Sequence, residues 1–464
     1  MPYTHTTFGT LKSQLASRLG DSTKTFWLDA ELGRYLTEAL RTWGSLSAFW
    51  RERATFATTA ATAFYELQTQ LASLLGYTVT DRSVISDLLC HLMEPPIANW
   101  ASYPGTEMFT LEDLTRAVER RRDQFLAETG VVLTRADVPI APAGRIDLPD
   151  TVIDVRRLVW RSVAGVNSHL WREDEWALTV ATRGLWAVNP STPSAYSVMA
   201  TQPVQVQLAP VPMDAGTLDL ISISTGITLD PATAATILGI PDDLVWVIKW
   251  GALADLLGRD GTSSDPARAA FAESRYRQGV EIARLLSTVV MTEIDGVPLV
   301  SDSLQSLDSA RVNWQNTTAT VPTTVALGGL NLLALHPTPD AAYGIILDVV
   351  RNAPIPAADT DYVEVGREQL DAILDYATHL ASFKMGGAEF DVTTREADNF
   401  LRQAMESNER LAAAARYVVP ARDQVRMEEK RRPRRDPAQG LGALPPATSR
   451  TTPSPYLPVE LVER

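Results

Sequence analysis

The chain spells out one unusual element twice: Leu208-Ala209-Pro210-Val211-Pro212 returns 127 residues later as Leu335-His336-Pro337-Thr338-Pro339. Each copy runs into an apolar, strand-like stretch and then into two segments with apolar residues at helical spacing. After the first copy these are Thr217 to Ser224, Leu244 to Leu257 and Pro266 to Leu286. After the second they are Gly344 to Val350, Leu370 to Phe383 and, past Gly386-Gly387, Thr393 to Arg416. Ala252 and Ala377, in the first helix of each pair, are 125 residues apart, so the spacing drifts by only two residues across the unit. A supersecondary unit repeated in this way indicates duplication and points to a scaffold rather than to a single catalytic cleft.

A second echo lies nearer the N-terminus. Trp27-Leu28-Asp29-Ala30-Glu31-Leu32 aligns with Phe109-Thr110-Leu111-Glu112-Asp113-Leu114 at an offset of 82. Both read as helix starts, with Asp29 and Thr110 as expected caps and apolar residues recurring at three and four. Each precedes a strand-like tetrapeptide, Phe64-Tyr65-Glu66-Leu67 and Arg145-Ile146-Asp147-Leu148, whose alternation suits one buried face. Proline cannot donate to a sheet ladder, so Pro210, Pro212, Pro337 and Pro339 are expected to end their strands on sheet edges.

These patterns predict an α+β fold: long helices and helix pairs combined with small antiparallel β-sandwich-like domains, internally duplicated, with an extended C-terminal arm. The expected division is 1–107, helical with a strand region; 108–290, a full module of helix, β domain and helix pair; 291–419, a shortened β and helix-pair module; and 420–464, a basic, Pro-rich arm. At 464 residues and 45% hydrophobic content the chain has the means to bury large cores. The single cysteine, Cys90, forms no intrachain disulfide, and residues 1–20 have no signal-peptide pattern. The longest nearly apolar stretch, Val325 to Leu335, is shorter than the ~20 residues of a membrane helix. The expectation is a soluble protein made in the cytoplasm, with no membrane partner.

Reaction chemistry finds little support. Phosphate-loop, dinucleotide, nucleophile-elbow and zinc-protease signatures are all missing. The histidines His5, His91, His169, His336 and His379 are scattered singly, and Cys90-His91, as sequence neighbours, project differently from a helix. Asp242-Asp243 follow Pro241 at a helix start and are expected to cap it. Asp230, Asp359 and Asp361 lie in polar loops without a calcium-loop spacing. Trp160, Trp171, Trp176 and Trp186 fall in the strand region and Trp246 and Trp250 on one helix face; sandwich core, helix-to-sheet packing and interface anchoring account for them. The expectation is a non-enzymatic protein with no catalytic residue, no cofactor and no metal.

The net charge is −14, unfavourable for a body that neutralises phosphates. Between Ala421 and Arg435, however, seven basic residues (Arg422, Arg426, Lys430, Arg431, Arg432, Arg434, Arg435) face three acidic ones, which leaves −18 for the remainder. The composition from Pro420 onward has too few large apolar residues to fold alone.

The ordered features (Leu111-Glu112-Asp113-Leu114, then Ile146-Asp147-Leu148-Pro149, a tryptophan-bearing middle, Leu208-Ala209-Pro210-Val211-Pro212, Ile240-Pro241, Ala252 to Leu257 and the charged helix with Tyr276) resemble the head-to-tail adaptor proteins of tailed bacteriophages. The resemblance is best over 108–290 and recurs partially over 330–416. It implies a virion structural protein at the head–tail junction, forming a ring, commonly a dodecamer, beneath the portal. Implied partners are the portal, a tail or nozzle protein, and viral DNA passing through the lumen without sequence-specific binding. In similar adaptors the C-terminal arm runs along the portal, which assigns portal binding here to the seven basic residues above together with Tyr456 and Leu457. The other readings are a tail-tube or baseplate protein, and a carbohydrate-binding or hydrolytic protein exploiting the tryptophans and carboxylates.

Overall fold

The computed structural model describes residues 5–103, 108–142, 144–201, 203–261, 264–311 and 313–408. In chain order, α1 (Phe8–Arg18) and α2 (Asp29–Ser47) precede β1 (Arg51–Ala57), β2 (Phe64–Glu66) and the single turn α3 (Leu67–Gln70). Next come α4 (Asp81–Leu92), α5 (Leu111–Thr129), β3 (Thr134–Ile140), β4 (Arg145–Asp147), β5 (Val152–Ser162), β6 (Asn167–His169), β7 (Trp171–Arg172) and α6 (Glu175–Thr182). These lead to β8 (Ala195–Met199), β9 (Gln205–Ala209), β10 (Gly216–Ser224), α7 (Val245–Leu257) and α8 (Pro266–Leu285). The chain then gives β11 (Val289–Ile294), β12 (Val297–Pro298), β13 (Val300–Ser303), α9 (Leu304–Ala310), β14 (Thr324–Gly328), β15 (Leu332–His336), β16 (Gly344–Val350), α10 (Arg367–Ser382) and α11 (Gly387–Glu406).

Local signals set most boundaries. Thr110 caps α5, accepting from the Asp113 N–H at 3.1 Å while Asp113 returns a bond to Thr110, and Gly130 ends the helix with φ +62°. The expected cap at Asp29 is corrected: the N-cap is Leu28, whose N–H donates to Glu31 at 3.2 Å, while the Asp29 carboxylate pairs with Lys12 and Lys24. A carboxylate drawn to two ammonium groups is not free to fold back onto the helix N–H groups. Asp242 and Asp243 also lack a capping bond. Asp242 accepts from the Thr78 N–H at 2.7 Å and the Val79 N–H at 2.9 Å, and Asp243 accepts from the Ala353 N–H, so the pair ties distant segments together.

The strands form four sheets of four, in the orders β3-β10-β5-β6, β4-β9-β8-β7, β1-β16-β11-β12 and β2-β15-β14-β13. The first two enclose a core built on Leu158, Trp160, Val206, Leu208, Leu218 and Leu220. The last two enclose one built on Phe56, Leu333, Leu335, Ile345, Leu347 and Val349. Each core is a small sandwich, with helices packed alongside.

The two sandwiches match strand for strand. β3, β4, β5, β6, β7, β8, β9 and β10 correspond to β1, β2, β11, β12, β13, β14, β15 and β16, with the same neighbours in each sheet and the same parallel pairing of β7 to β8 and β13 to β14. The helices follow: α4 packs on α5 and α7 as α1 packs on α2 and α10, and α7 packs on α8 as α10 packs on α11. Among the described α-helices and strands only α3 lacks a counterpart. The first set (α4 to α8, with β3 to β10) is continuous and is called the inner set. The outer set begins with α1, α2, β1 and β2, is interrupted by the whole inner set, and resumes at β11. Strands from 51–66 thereby complete the sheets to which 291–350 contributes, so sheet membership crosses the sequence divisions at 107 and 290.

The prolines end β9 and β15 as expected, at Ala209 and His336, and both the Ala209–Pro210 and His336–Pro337 peptides are cis. Their expected edge position is corrected. β9 lies between β4 and β8, and β15 between β2 and β14, both interior. The prolines escape the ladder because they lie beyond the paired segment, Pro210 and Pro337 by one residue and Pro212 and Pro339 by three.

Leu208 and Leu335 occupy corresponding positions and are fully buried. Leu208→Ala and Leu335→Ala should each cost about 2–5 kcal/mol, measured by urea denaturation of the whole chain.

Candidate assembly surfaces

Because one set is inserted in the other, the fold contains a joint between two similar bodies: their helices share one apolar core, and polar groups also cross between the sets. Arg157 of β5 meets Asp308 of α9 through two bonds of 2.7 and 3.0 Å, with both side chains buried. The Trp314 indole N–H donates to the same carboxylate at 2.7 Å, and the guanidinium lies over the rings of Phe64 and Trp314. Alongside, the backbone N–H groups of Asn167 and His169 in β6 donate to Asn316 and Asn313 at 3.0 and 2.6 Å. Asn331, in the β14–β15 turn, accepts from the Leu133 N–H at 2.9 Å and donates to the Leu133 carbonyl at 2.8 Å. A buried carboxylate satisfied by a bidentate guanidinium and an indole is held in one geometry.

The helices continue this joint. Lys249 of α7 pairs with Glu38 of α2, buried on both sides, and the Trp250 indole N–H donates to Glu38 at 2.8 Å. Arg275 of α8 donates to the Tyr376 hydroxyl of α10, and Phe271 packs edge-on against Phe390 with ring centroids 4.6 Å apart. Between the sandwiches the joint is heterologous, β5 and β6 of the inner set meeting α9 and the 3-10 turn at Trp314–Asn316 of the outer set, while α7 and α8 meet α2, α10 and α11.

Chemistry-bearing side chains are spent on structure. Burial holds the imidazoles of His91, His169, His336 and His379 below their ordinary range, His379 down to about 3, so they stay neutral. Burial raises the Cys90 thiol to about 11, far from a nucleophile. Asp230 accepts from the Thr233 N–H, Asp361 from the Ala357 and Ala358 N–H groups, and Asp359 pairs with Lys12. Among the described residues no three His, Cys, Asp or Glu side chains gather as a metal site, and no described helix is long and apolar enough to cross a membrane.

Asp243 is a strongly perturbed carboxyl. It lines a cavity of about 150 Å³ between the end of α2 and the start of β11, together with Tyr77, Leu286 and Asn352. Burial lifts it to about 7, opposed by the Arg41 charge and the Ala353 N–H and reinforced by Asp242.

The tryptophans divide. Trp160, Trp186, Trp246 and Trp250 are buried, whereas Trp171 and Trp176 are exposed near α6. Exposed apolar residues also lie on β11 (Met291), β12 (Val297) and α11 (Val392). The sequence reading missed these because an isolated apolar residue carries no signal of which way it faces. The expected portal-binding residues, Arg422, Arg426, Lys430, Arg431, Arg432, Arg434, Arg435, Tyr456 and Leu457, lie outside the described residues.

Residues 100–292 match the family model described as SU10 adaptor protein, which supports a phage adaptor and virion location. The matched stretch is under half the chain and encloses the inner set from α5 to α8. No curated protein matches.

Removing one partner of a buried pair strands the other, so Asp308→Ala should cost about 3–5 kcal/mol, and the double variant Arg157→Met/Asp308→Leu should recover most of that loss in urea denaturation. Asp243 stays neutral in the fold to about pH 7, but ionises in the unfolded chain near 4, so its contribution to stability is lost as pH rises between the two. Asp243→Asn, which keeps an acceptor for the Ala353 N–H, should stabilise by about 1–3 kcal/mol at pH 8. That difference should vanish toward pH 4 in melting curves recorded across the interval.

Proposed function

We propose that this protein is a head-to-tail adaptor of a tailed bacteriophage, a structural protein of the virion that forms a ring beneath the portal, extends the DNA channel and joins the capsid to the tail. The observation carrying this reading is the match of residues 100–292 to the adaptor family model. It is supported by that stretch enclosing the inner set from α5 to α8, which carries a whole sandwich and a helix pair.

The charge fits the role. A body carrying −17 outside the arm presents duplex phosphates with repulsion rather than binding, so a genome slides instead of sticking. The basic segment from Arg422 to Arg435, with Tyr456 and Leu457, then docks on an acidic surface of the portal. A ring of one chain type needs a heterologous interface that closes on itself, dodecameric in the adaptors this chain resembles. The protein acts by position alone, without a reaction or cofactor.

Negative-stain images of the purified chain with and without portal protein test this. A single ring seated on the portal is expected; stacked rings growing without the portal would instead make it a tail-tube component. Deleting residues 420–464 should lower portal capture at least about tenfold, equivalent to ~1.4 kcal/mol; undiminished capture by co-sedimentation would take the docking role away from the arm.

A further inference from the structure

We propose that the joint inside one chain is repeated between chains, with the α6 face of the inner set receiving the β11 face of the next copy's outer set. This rests on the adaptor reading only for its setting in a ring.

Between the sandwiches the joint is heterologous, so each sandwich uses one face on it and leaves free the face that its counterpart uses. The inner set is joined through β5 and β6 and keeps its α6 face. The outer set is joined through α9 and keeps its β11 face. The strand register identifies the corresponding residues. Trp160 pairs with Leu218 and Ile294 with Ile345, each pair inside its own sandwich, which places Met291 where Arg157 stands. The N-caps Asp174 and Ser303 and the buried Leu178 and Leu307 align in the same way, which places Thr179 at Asp308 and Leu185 at Trp314.

At the joint these positions form the buried arginine–aspartate–tryptophan cluster. At the free faces Met291, 38% exposed, and Leu185, 53% exposed, stand in place of the arginine and the tryptophan, and Thr179 in place of the aspartate; Trp176 at 74% and Val188 at 68% are also uncovered. On α11, Val392, 72% exposed, stands where Phe271 of α8 enters the joint. Apolar side chains gathered in this way on a charged surface mark a contact, and a second copy is the occupant because it carries the face that already fits the homologous site. Such a contact repeats head to tail until it closes. With two sets in every chain, the ring shows twice as many lobes as it has chains.

Single-face variants test this. Leu185→Glu blocks the α6 face and Met291→Glu blocks the β11 face; both residues are exposed, and Val188→Glu and Val297→Glu repeat each test at a neighbour. Each variant should melt as the wild type does. Each should raise the concentration for half-assembly at least about tenfold in sedimentation velocity, as burying an unpaired carboxylate in an apolar contact requires. Leu185→Glu and Met291→Glu mixed in equal amounts should give a 1:1 dimer and nothing larger, since one intact face of each kind remains. For the wild type, native mass should count half as many chains as there are lobes in class averages of the ring. Assembly unchanged in both blocked variants, or equal numbers of lobes and chains, would overturn this interface while leaving a ring-forming adaptor intact. Assembly through these faces with no affinity for portal would overturn the adaptor reading and leave the interface.

Discussion

The pairing of β1 with β16 is the constraint from which the architecture follows. It sets Arg51 opposite Val350 and Ala57 opposite Gly344, so the outer sandwich is complete only when segments 287 to 299 residues apart meet. A strand of this kind cannot stand alone, since its ladder groups and apolar face are satisfied only by a partner. Everything between the two strands must leave and return at neighbouring points. The inner set meets that requirement because its first helix and its last both abut the outer set: α4 through His91, which stacks edge-on with Tyr35 and lies beside Trp250 and Phe383, and α8 through Phe271 and Arg275.

Two bodies descended from one pattern could have met through a greasy seam. Here the helices do share an apolar core, but polar pairs are added across it: Arg157 with Asp308, Lys249 with Glu38, and Asn331 with the Leu133 backbone. Such groups contribute modestly to net stability, because desolvation offsets much of their attraction, but they penalise any other alignment heavily. A seam of this kind selects one orientation, which a part that must fit into a larger assembly requires. The neutral imidazoles of His91 and His379 serve the same end from the apolar side, filling the helix interface as flat rings without charge.

The duplication was legible from the prolines and from two offsets, 127 and 82, because turn residues and helix caps are fixed by local geometry. Thr110, Gly130 and the ends of β9 and β15 behaved as their chemistry dictates. The β5–β8 and β11–β14 correspondence was hidden because the hairpin around Gly165 is longer than the turn at Asp295-Gly296, which breaks the offset, and because short strands such as β12 and β13 carry too few residues to show a period. The edge position expected for the prolines failed because a strand's place in a sheet depends on partners far away in sequence. The roles of Asp29, Asp242 and Asp243 likewise lay with distant groups: Lys12, Thr78 and Ala353. The apolar residues on α6 and β11 could not be separated from core residues until the structure showed which side was covered.

The insertion also orders events during synthesis. The inner set leaves the ribosome whole, with both sheets and both helices of its pair in one continuous stretch, while β1 and β2 have emerged without partners. At 5–20 residues per second the interval between Ala57 and Gly344 lasts on the order of tens of seconds. Through that time the nascent N-terminal strands stay open-edged beside an already folded neighbour, and the cell must shelter them until translation delivers the other half of their sheet.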